Sequence, residues 1–352
     1  MSYKILLTSA GGRLSPEMIK LFKNSDRHKI TVIAVDCDRE ASAKFFADYF
    51  EIVPRGTDVG FADVILSICM KYEVNLVIPC SDEEVISLSE KQQKFSKQGI
   101  VLAVPPEDIL EYLIDKSKTY KLLNKKGLPT PTWKIVEKKE EILDKVKGFL
   151  NQFGECVVKP TKGRGGRGVY IISNNTPEFS HLNDARDIII DFNVFCSEYL
   201  NKVQENLPII VMERLMGPGY DVDVLSIDGK VKRMVPRRRF ISSGTPFKGS
   251  LICWPEEVIN LANKVAKSFK LSWLTDLDLM TDRNGNLQFT EINPRPSGGV
   301  VSSIAAGIPI LDDFISIAKK EDIPNLNKKN IVAVVPYTST MCIPKELTPE
   351  GK

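Results

Sequence analysis

Apolar residues fall into short runs over the first hundred positions, and segments with helical spacing separate them. Ile5–Ser9, Thr31–Val35, Phe50–Val53, Leu76–Ile78 and Val101–Val104 are the runs. Pro16–Phe22, Phe61–Tyr72 and Asp82–Phe95 carry apolar residues at helical intervals. Short buried strands alternating with helices predict a parallel, doubly wound α/β sheet. The pattern changes after Pro105-Pro106. Glu107–Leu113 and Thr119–Lys126 read as helices, and Gly127, Pro129 and Pro131 end the second. A smaller α+β unit follows, with strands at Trp133–Val136, Cys156–Pro160, Val169–Ile172 and Pro208–Glu213 and a charged amphipathic helix over Glu140–Asn151. Tyr220–Ile227 and Lys230–Phe240 predict a hairpin turned at Asp228-Gly229. Trp273–Thr281 and Leu287–Ile292 predict a second, turned near Asn284-Gly285. Glu256–Phe269 is an amphipathic helix, Val300–Lys320 is helical with an interruption at Gly307-Ile308-Pro309, Ile331–Tyr337 is a last strand, and Thr338–Lys352 is loose. The expected division is an N-terminal α/β domain over 1–105, a linker helix over 106–131, a small lobe over 132–214 and a C-terminal lobe over 215–352.

Composition changes this picture little. The chain has 352 residues, 43% hydrophobic and 26% charged, as a globular protein of two or three domains would. A net charge of +3 gives no ground for nucleic-acid binding, and no apolar run is long enough to span a bilayer. The opening MSYKILLTSAGG is not expected to act as a secretory signal, because its apolar core is too short. The seven cysteines are scattered without a Cys-x-x-Cys pair, which argues against structural zinc and for reduced thiols in the cytoplasm. With only His28 and His181, chemistry must rest on Asp, Glu, Lys, Arg, a bound metal or the substrate itself.

The candidate chemistry gathers at Thr290–Gly299. Alternation along a strand puts Glu291, Asn293 and Arg295 on one face, and Pro294 and Pro296 end the ladder there. Folding the hairpin sets Asp278 beside Glu291 and Asn293, with Asp276 as the alternative. Oxygen ligands of this kind suit magnesium, and Arg295 suits a phosphoryl or carboxyl oxygen. A solvated hairpin face has the same pattern, so the segment alone does not decide. Lys159 ends an apolar strand and is followed by Thr161-Lys162-Gly163-Arg164-Gly165-Gly166-Arg167-Gly168. Glycines there let backbone N–H groups approach phosphate oxygens, though the loop is not a Walker A motif. Glu213-Arg214-Leu215-Met216 before Gly217-Pro218-Gly219 has the form of a hinge that can offer backbone groups to an adenine, although on its own the segment reads as an ordinary interdomain turn. Arg237 and Arg239 share a face, either as an anion clamp or as a basic edge. Gly11-Gly12 with Asp36 lacks the full dinucleotide fingerprint and reads as a tight turn.

In this order, Asp115-Lys116, Val158-Lys159-Pro160, Gly163–Gly168, Met212-Glu213, Asp278 and Glu291–Arg295 resemble the ATP-grasp superfamily, in its carbamoyl-phosphate-synthase-like branch of carboxylate–amine ligases. The resemblance implies an N-terminal doubly wound parallel sheet followed by a two-lobed α+β ATP-grasp domain. It implies Lys116 and Lys159 on ATP phosphates, Gly165 and Gly166 in a lid, Glu213, Leu215 and Met216 at the adenine, and Asp221 near the ribose, where the family usually has glutamate. It further implies Asp278, Glu291 and Asn293 as ligands of Mg2+, with Mn2+ as a substitute, and Arg295 with Arg237 or Arg239 facing an acyl phosphate. The implied substrates are a small carboxylate and an amine, with neither nucleic acid nor membrane as partner; a homodimer is compatible. Carbamoyl-phosphate synthesis itself is not expected, since that large subunit carries two such halves and this chain one. A small-molecule phosphotransferase on the same ATP site is the alternative activity, and a nucleotide sensor without chemistry is a third reading.

Overall fold

The computed structural model describes residues 2–163, 168–174, 188–240, 249–326, 329–337 and 339–342. The expected loop at Ser242–Pro246, the lid residues Arg164–Arg167, and His181 lie outside them. Strands β1 (Tyr3–Leu7), β2 (Ile30–Asp36), β3 (Tyr49–Ile52), β4 (Leu76–Ile78) and β5 (Val101–Leu102) form a wholly parallel sheet of order β3-β2-β1-β4-β5. Its residues alternate between two apolar layers. Ile5 and Leu7 pack with α1 (Ser15–Lys23), while Leu6, Ile33 and Val35 pack with α2 (Phe61–Tyr72) and α3 (Asp82–Ser89). Burial on both faces explains why these strands read as continuous apolar runs.

The N-terminal sheet is therefore doubly wound, as expected, but two local expectations change. The helix expected over Asp82–Phe95 breaks into α3 and α4 (Gln92–Lys97), at the point where the buried Ser89 hydroxyl turns to the Pro105 carbonyl (3.0 Å). The Gly11-Gly12 turn is closed by the chain itself: the Gly11 N–H donates to Asp36 Oδ2 at 2.6 Å. Asp36 thus acts as a local turn staple, which favours the tight-turn reading of that motif.

Two helices, α5 (Glu107–Leu113) and α6 (Lys116–Lys125), lead to the second sheet. Its strands are β6 (Trp133–Val136), β7 (Glu155–Pro160), β8 (Tyr170–Ser173), β9 (Ile188–Asp191) and β10 (Ile209–Glu213), in the order β6-β10-β7-β8-β9. Helix α7 (Ile142–Phe153) covers one face through Ile142, Val146, Phe149 and Leu150. Short helices α8 (Phe192–Val194) and α9 (Leu200–Gln204), joined by a π-helical turn, lead from β9 to β10.

The third sheet has the order β15-β14-β11-β12-β13-β16, from β11 (Gly219–Ile227), β12 (Lys230–Arg239), β13 (Ser250–Ile252), β14 (Trp273–Thr281), β15 (Leu287–Asn293) and β16 (Val332–Val334). One face is largely apolar, with Tyr220, Val222, Val224, Leu277, Leu279 and Phe289 packed against α10 (Glu256–Ser268). The other face is divided. Leu225, Val235, Ile252 and Leu274 bury against α1 and α11 (Ile310–Ala318), while the far half carries the polar cluster described below. Asp313, fully buried on α11, is bound by Arg27 of the first sheet's layer and by Arg233 of β12, each at 2.5 Å, which joins the two sheets electrostatically.

The β11–β12 hairpin turns on Asp228-Gly229, both with positive φ, as a two-residue loop requires. The β14–β15 hairpin departs from expectation. Asn284-Gly285 sits inside a longer loop stapled by Asp282, whose carboxylate accepts the Asn284 and Asn286 N–H groups (2.8 and 2.9 Å). Glycine is obligatory at Gly217, where a Cβ would lie 1.7 Å from Thr281 Oγ1. All seven cysteines are free thiols. Among the described residues no single helix is long and apolar enough to cross a membrane. The apolar pair Val300–Ala306 and Ile310–Ala318 bends by 111° and contributes to the core.

Candidate active site

The polar half of the third sheet is built by strand register. Asp221 of β11 lies opposite Asp278 of β14, and Asp223 lies opposite Asp276. On the other side, Asp278 lies opposite Glu291 of β15, and Asp276 opposite Asn293. Arg237 lies opposite Asp221 across β11–β12. Alternation thus collects Asp221, Asp223, Asp276, Asp278, Asn293 and Arg237 on one face, as expected for the hairpin. Asp276 and Asp278 both belong to it, so the choice between them is a choice within one cluster.

A β-bulge sets the last strand. Asp278 pairs with Glu291 but Leu279 with Phe289, so Thr290 has no opposite number. Phe289 and Ile292 therefore both reach the core although three positions separate them. The extra residue resets the alternation so that Glu291 turns to the cleft, as bulges beside functional sites do.

The cations come from four elements. Asp115 caps α6 by accepting the Ser117 and Lys118 N–H groups (3.0 and 3.3 Å), which starts the helix at Lys116. Lys116 Nζ then reaches Glu291 Oε1 (2.9 Å) and the Gly163 carbonyl (2.6 Å) at the base of the glycine-rich loop. Lys159, near the end of β7, donates to the Tyr120 hydroxyl (3.2 Å). Arg295 spans the cleft between Asp276 (3.6 Å) and Asp82 (3.4 Å), the latter at the start of α3 in the first domain. Arg239 binds Asp221 through Nε (3.0 Å) and Nη2, and Nη2 also reaches Asp278. Arg237 is enclosed, 2% exposed, between Asp223 and the Ser297 hydroxyl (2.8 Å). A Cβ at Gly299 would lie 2.8 Å from Arg237 Nε, so that glycine lets the guanidinium in.

The electrostatics follow from crowding. Burial pushes Asp276 up to about 7, and the neighbouring Asp221 adds to the effect. Burial also raises Asp278 well above the ordinary carboxylate range, against Arg239 and with Asp276, Asp221 and Glu291 reinforcing it. Burial acts the same way on Glu291, but Lys116 and then Lys159 outweigh it and hold that carboxyl low. Asp276 Oδ1 is buried without a hydrogen-bond partner. Among the described residues no three His, Cys, Asp or Glu side chains form a ready-made cage. The donor set is instead the Asp278 and Glu291 carboxylates with Asn293 beside them, whose Nδ2 donates to Asp276 and Asp278 at 3.4 Å each; such a set suits a hard cation that takes its remaining ligands from phosphates. The orphaned oxygen and the raised carboxylates mark a site short of positive charge, so the residues fit magnesium.

Of the other expected residues, Glu213 ends β10 with its carboxylate on the Thr132 N–H (2.6 Å), Leu215 is buried and Met216 is exposed. Asp221 is bound by Arg239 inside the acidic cluster. Gly165 and Gly166 lie outside the described residues. Sequence reasoning missed Asp82, Asp223 and Tyr120. Asp82 comes from a distant domain, while Asp223 had a signal in the alternating Asp221-Val222-Asp223.

Known families and folds match this chain. Residues 5–103 match the family model described as PylC-like, N-terminal domain. Residues 100–197 match sugar-transfer associated ATP-grasp, and 205–340 match ATP-grasp in the biosynthetic pathway with Ter operon. The chain belongs to the ATP-grasp superfamily. It is 25% identical over 318 residues to a pyruvate carboxylase of Aspergillus terreus, covering 87% of this chain and 25% of that protein, and so spans about a quarter of that relative's length. An L-amino acid ligase from Bacillus licheniformis has a similar fold, with TM-score 0.63, 16% identity, and coverage of 91% of this chain and 74% of that one. So does the biotin carboxylase domain of Hydrogenobacter thermophilus 2-oxoglutarate carboxylase, in complex with MgADP, ADP and bicarbonate, with TM-score 0.67, 18% identity, and coverage of 94% and 73%.

Proposed function

We propose that this protein is an ATP-dependent ligase, of the carbamoyl-phosphate-synthase-like kind, that activates a small-molecule carboxylate as an acyl phosphate and joins it to an amine. One observation carries the reading: Lys159, Lys116, Arg295 and the Asp278–Glu291–Asn293 set meet at one cleft although four separate elements supply them. The shared fold with an amino-acid ligase and with a carboxylase domain holding MgADP supports it.

The proposed roles are those that the resemblance implies. Lys159 and Lys116 hold the phosphates, with Gly165 and Gly166 closing over them. Glu213 and the backbone at Leu215 and Met216 hold the adenine, and Asp221 serves the ribose side. Asp278, Glu291 and Asn293 hold the metal, with Asp276 beside them. Bound there, magnesium, or manganese in its place, would offset the charge of the nucleotide phosphates. Arg295 and Arg239 orient the acyl phosphate. Arg237, more enclosed, supports the floor through Asp223 and Ser297. The chain divides near 105, 131 and 214 into N-terminal domain, linker, small lobe and C-terminal lobe.

In the first step a carboxylate oxygen bonds to the γ-phosphorus, and the bond to the bridging oxygen breaks with its electron pair leaving on ADP. In the second, the amine nitrogen bonds to the acyl carbon, phosphate leaves with the C–O pair, and the nitrogen releases a proton. Positioning and charge neutralisation dominate such transfers, so no protein nucleophile is required.

The test is incubation with ATP, magnesium and pooled amino acids and small acids, following ADP release and new masses. An amide product with free phosphate is expected, and Glu291→Gln should lower turnover by about a hundredfold or more, in the range seen when one transition-state contact is removed. A stable phosphorylated product would favour the phosphotransferase, and ATP bound without turnover would favour a sensor.

A further inference from the structure

Tyr120 sits where three parts of the site meet. It lies in the middle of α6, fully buried, with its ring 5.4 Å from that of Trp133 on β6. Its hydroxyl donates to the Thr290 carbonyl at 2.8 Å. Thr290 is the residue that the bulge leaves without an opposite number, immediately before Glu291. A phenol has one proton, and a carbonyl can only accept, so that bond fixes which way the hydroxyl points. Its lone pairs are left for Lys159, whose Nζ donates to them at 3.2 Å and stands 5.5 Å from the ring centroid.

Lysine is a point charge on a flexible stem, and it holds a phosphate well only when something aims it. Here the aiming group is buried and is itself oriented by the metal-site strand. We propose that Tyr120 is the positioning residue for Lys159: its hydroxyl, fixed by the bulged Thr290 carbonyl, directs the ammonium to the nucleotide phosphates and ties it to the strand bearing Glu291. This rests on the reading of Lys159 as a phosphate ligand. The consequence is that α6, named above for Lys116 alone, places both lysines: one directly and one through Tyr120.

The test is a double-mutant cycle on magnesium-dependent binding of a non-hydrolysable ATP analogue, read by calorimetry with the full chain. Tyr120→Phe keeps the ring and its contact with Trp133 and removes only the hydroxyl. It should weaken binding about tenfold, the scale of one hydrogen bond to a charged group. Lys159→Ala should weaken binding at least as much, and the double variant should be no weaker than Lys159→Ala alone. A merely structural role for the hydroxyl predicts additive losses, and additivity overturns the proposal, as does unchanged affinity in Tyr120→Phe. If Lys159→Ala itself binds normally, the phosphate role of Lys159 fails first and this inference with it. Should Tyr120→Phe not fold, 3,5-difluorotyrosine at position 120 keeps the phenol but weakens it as an acceptor. A fall in affinity is then expected, and no change contradicts the proposal.

Discussion

Arg239 cannot neutralise both of the carboxylates it touches. Asp221 receives two of its nitrogens, and although burial works against ionisation, Arg239 holds that carboxyl below its usual range. Asp278 receives a share of one nitrogen and stays high. The division of one guanidinium leaves Asp278, with its neighbour Asp276, as the place where a cation is wanted, and it separates two aspartates that look alike in sequence. A second buried carboxyl makes a cleaner pH probe because it stands apart from the metal set. Glu84, 5% exposed, accepts from Thr8 Oγ1 at 2.6 Å, and burial raises its pKa. A folded-state value above the unfolded one means that ionisation costs the fold more than the unfolded chain. That cost is absent below the unfolded value, sets in as pH rises, and is complete above the folded value. Glu84→Gln should therefore melt higher than the parent at pH 8 and close to it at pH 4. Equal melting at both pH values would contradict this.

At the scale of elements, the site depends on how segments begin and end. Helix α6 starts where Asp115 caps it, and its Lys116 N–H is also bound by the Thr161 carbonyl (2.9 Å), at the mouth of the glycine-rich loop. Asp115→Ala should cost about 1 kcal/mol of stability, as cap removal does. Nucleotide affinity should fall with it, because Lys116 is the first residue of the helix. Asp115→Asn should restore most of both. Chemical denaturation and nucleotide titration check these, and an alanine variant of parent-like stability and affinity would remove the cap from the account. Much of this was legible in the sequence. Phe61–Tyr72, Glu107–Leu113, Trp133–Val136 and Trp273–Thr281 have the bounds that their periodicity predicts, because each is long or is stopped by glycine, proline or a charged turn. β9 and β13 were not anticipated, being short segments whose pairing is set by distant strands. The bulge at Thr290 was equally hidden. It breaks period two at one residue only, and Glu291, Asn293 and Arg295 keep their alternation beyond it.

The whole molecule brings together what no local pattern can. Asp82 of the first domain reaches Arg295 beyond β15, and Asp313 of α11 binds Arg27 and Arg233 on opposite sides. These long-range pairs hold the N-terminal sheet against the third sheet, so the cleft is walled by three units. The sequence carried the signs of each wall, but the contacts between them depend on sheet order and packing. One nucleotide is proposed to bind where these walls meet. A crystal structure with a non-hydrolysable ATP analogue and manganese, located by anomalous scattering, tests it most directly. The terminal phosphates are expected on Lys159 and Lys116, with the metal among Asp278, Glu291 and Asn293. A triphosphate bound away from the β14–β15 hairpin, or a metal on other side chains, would contradict it.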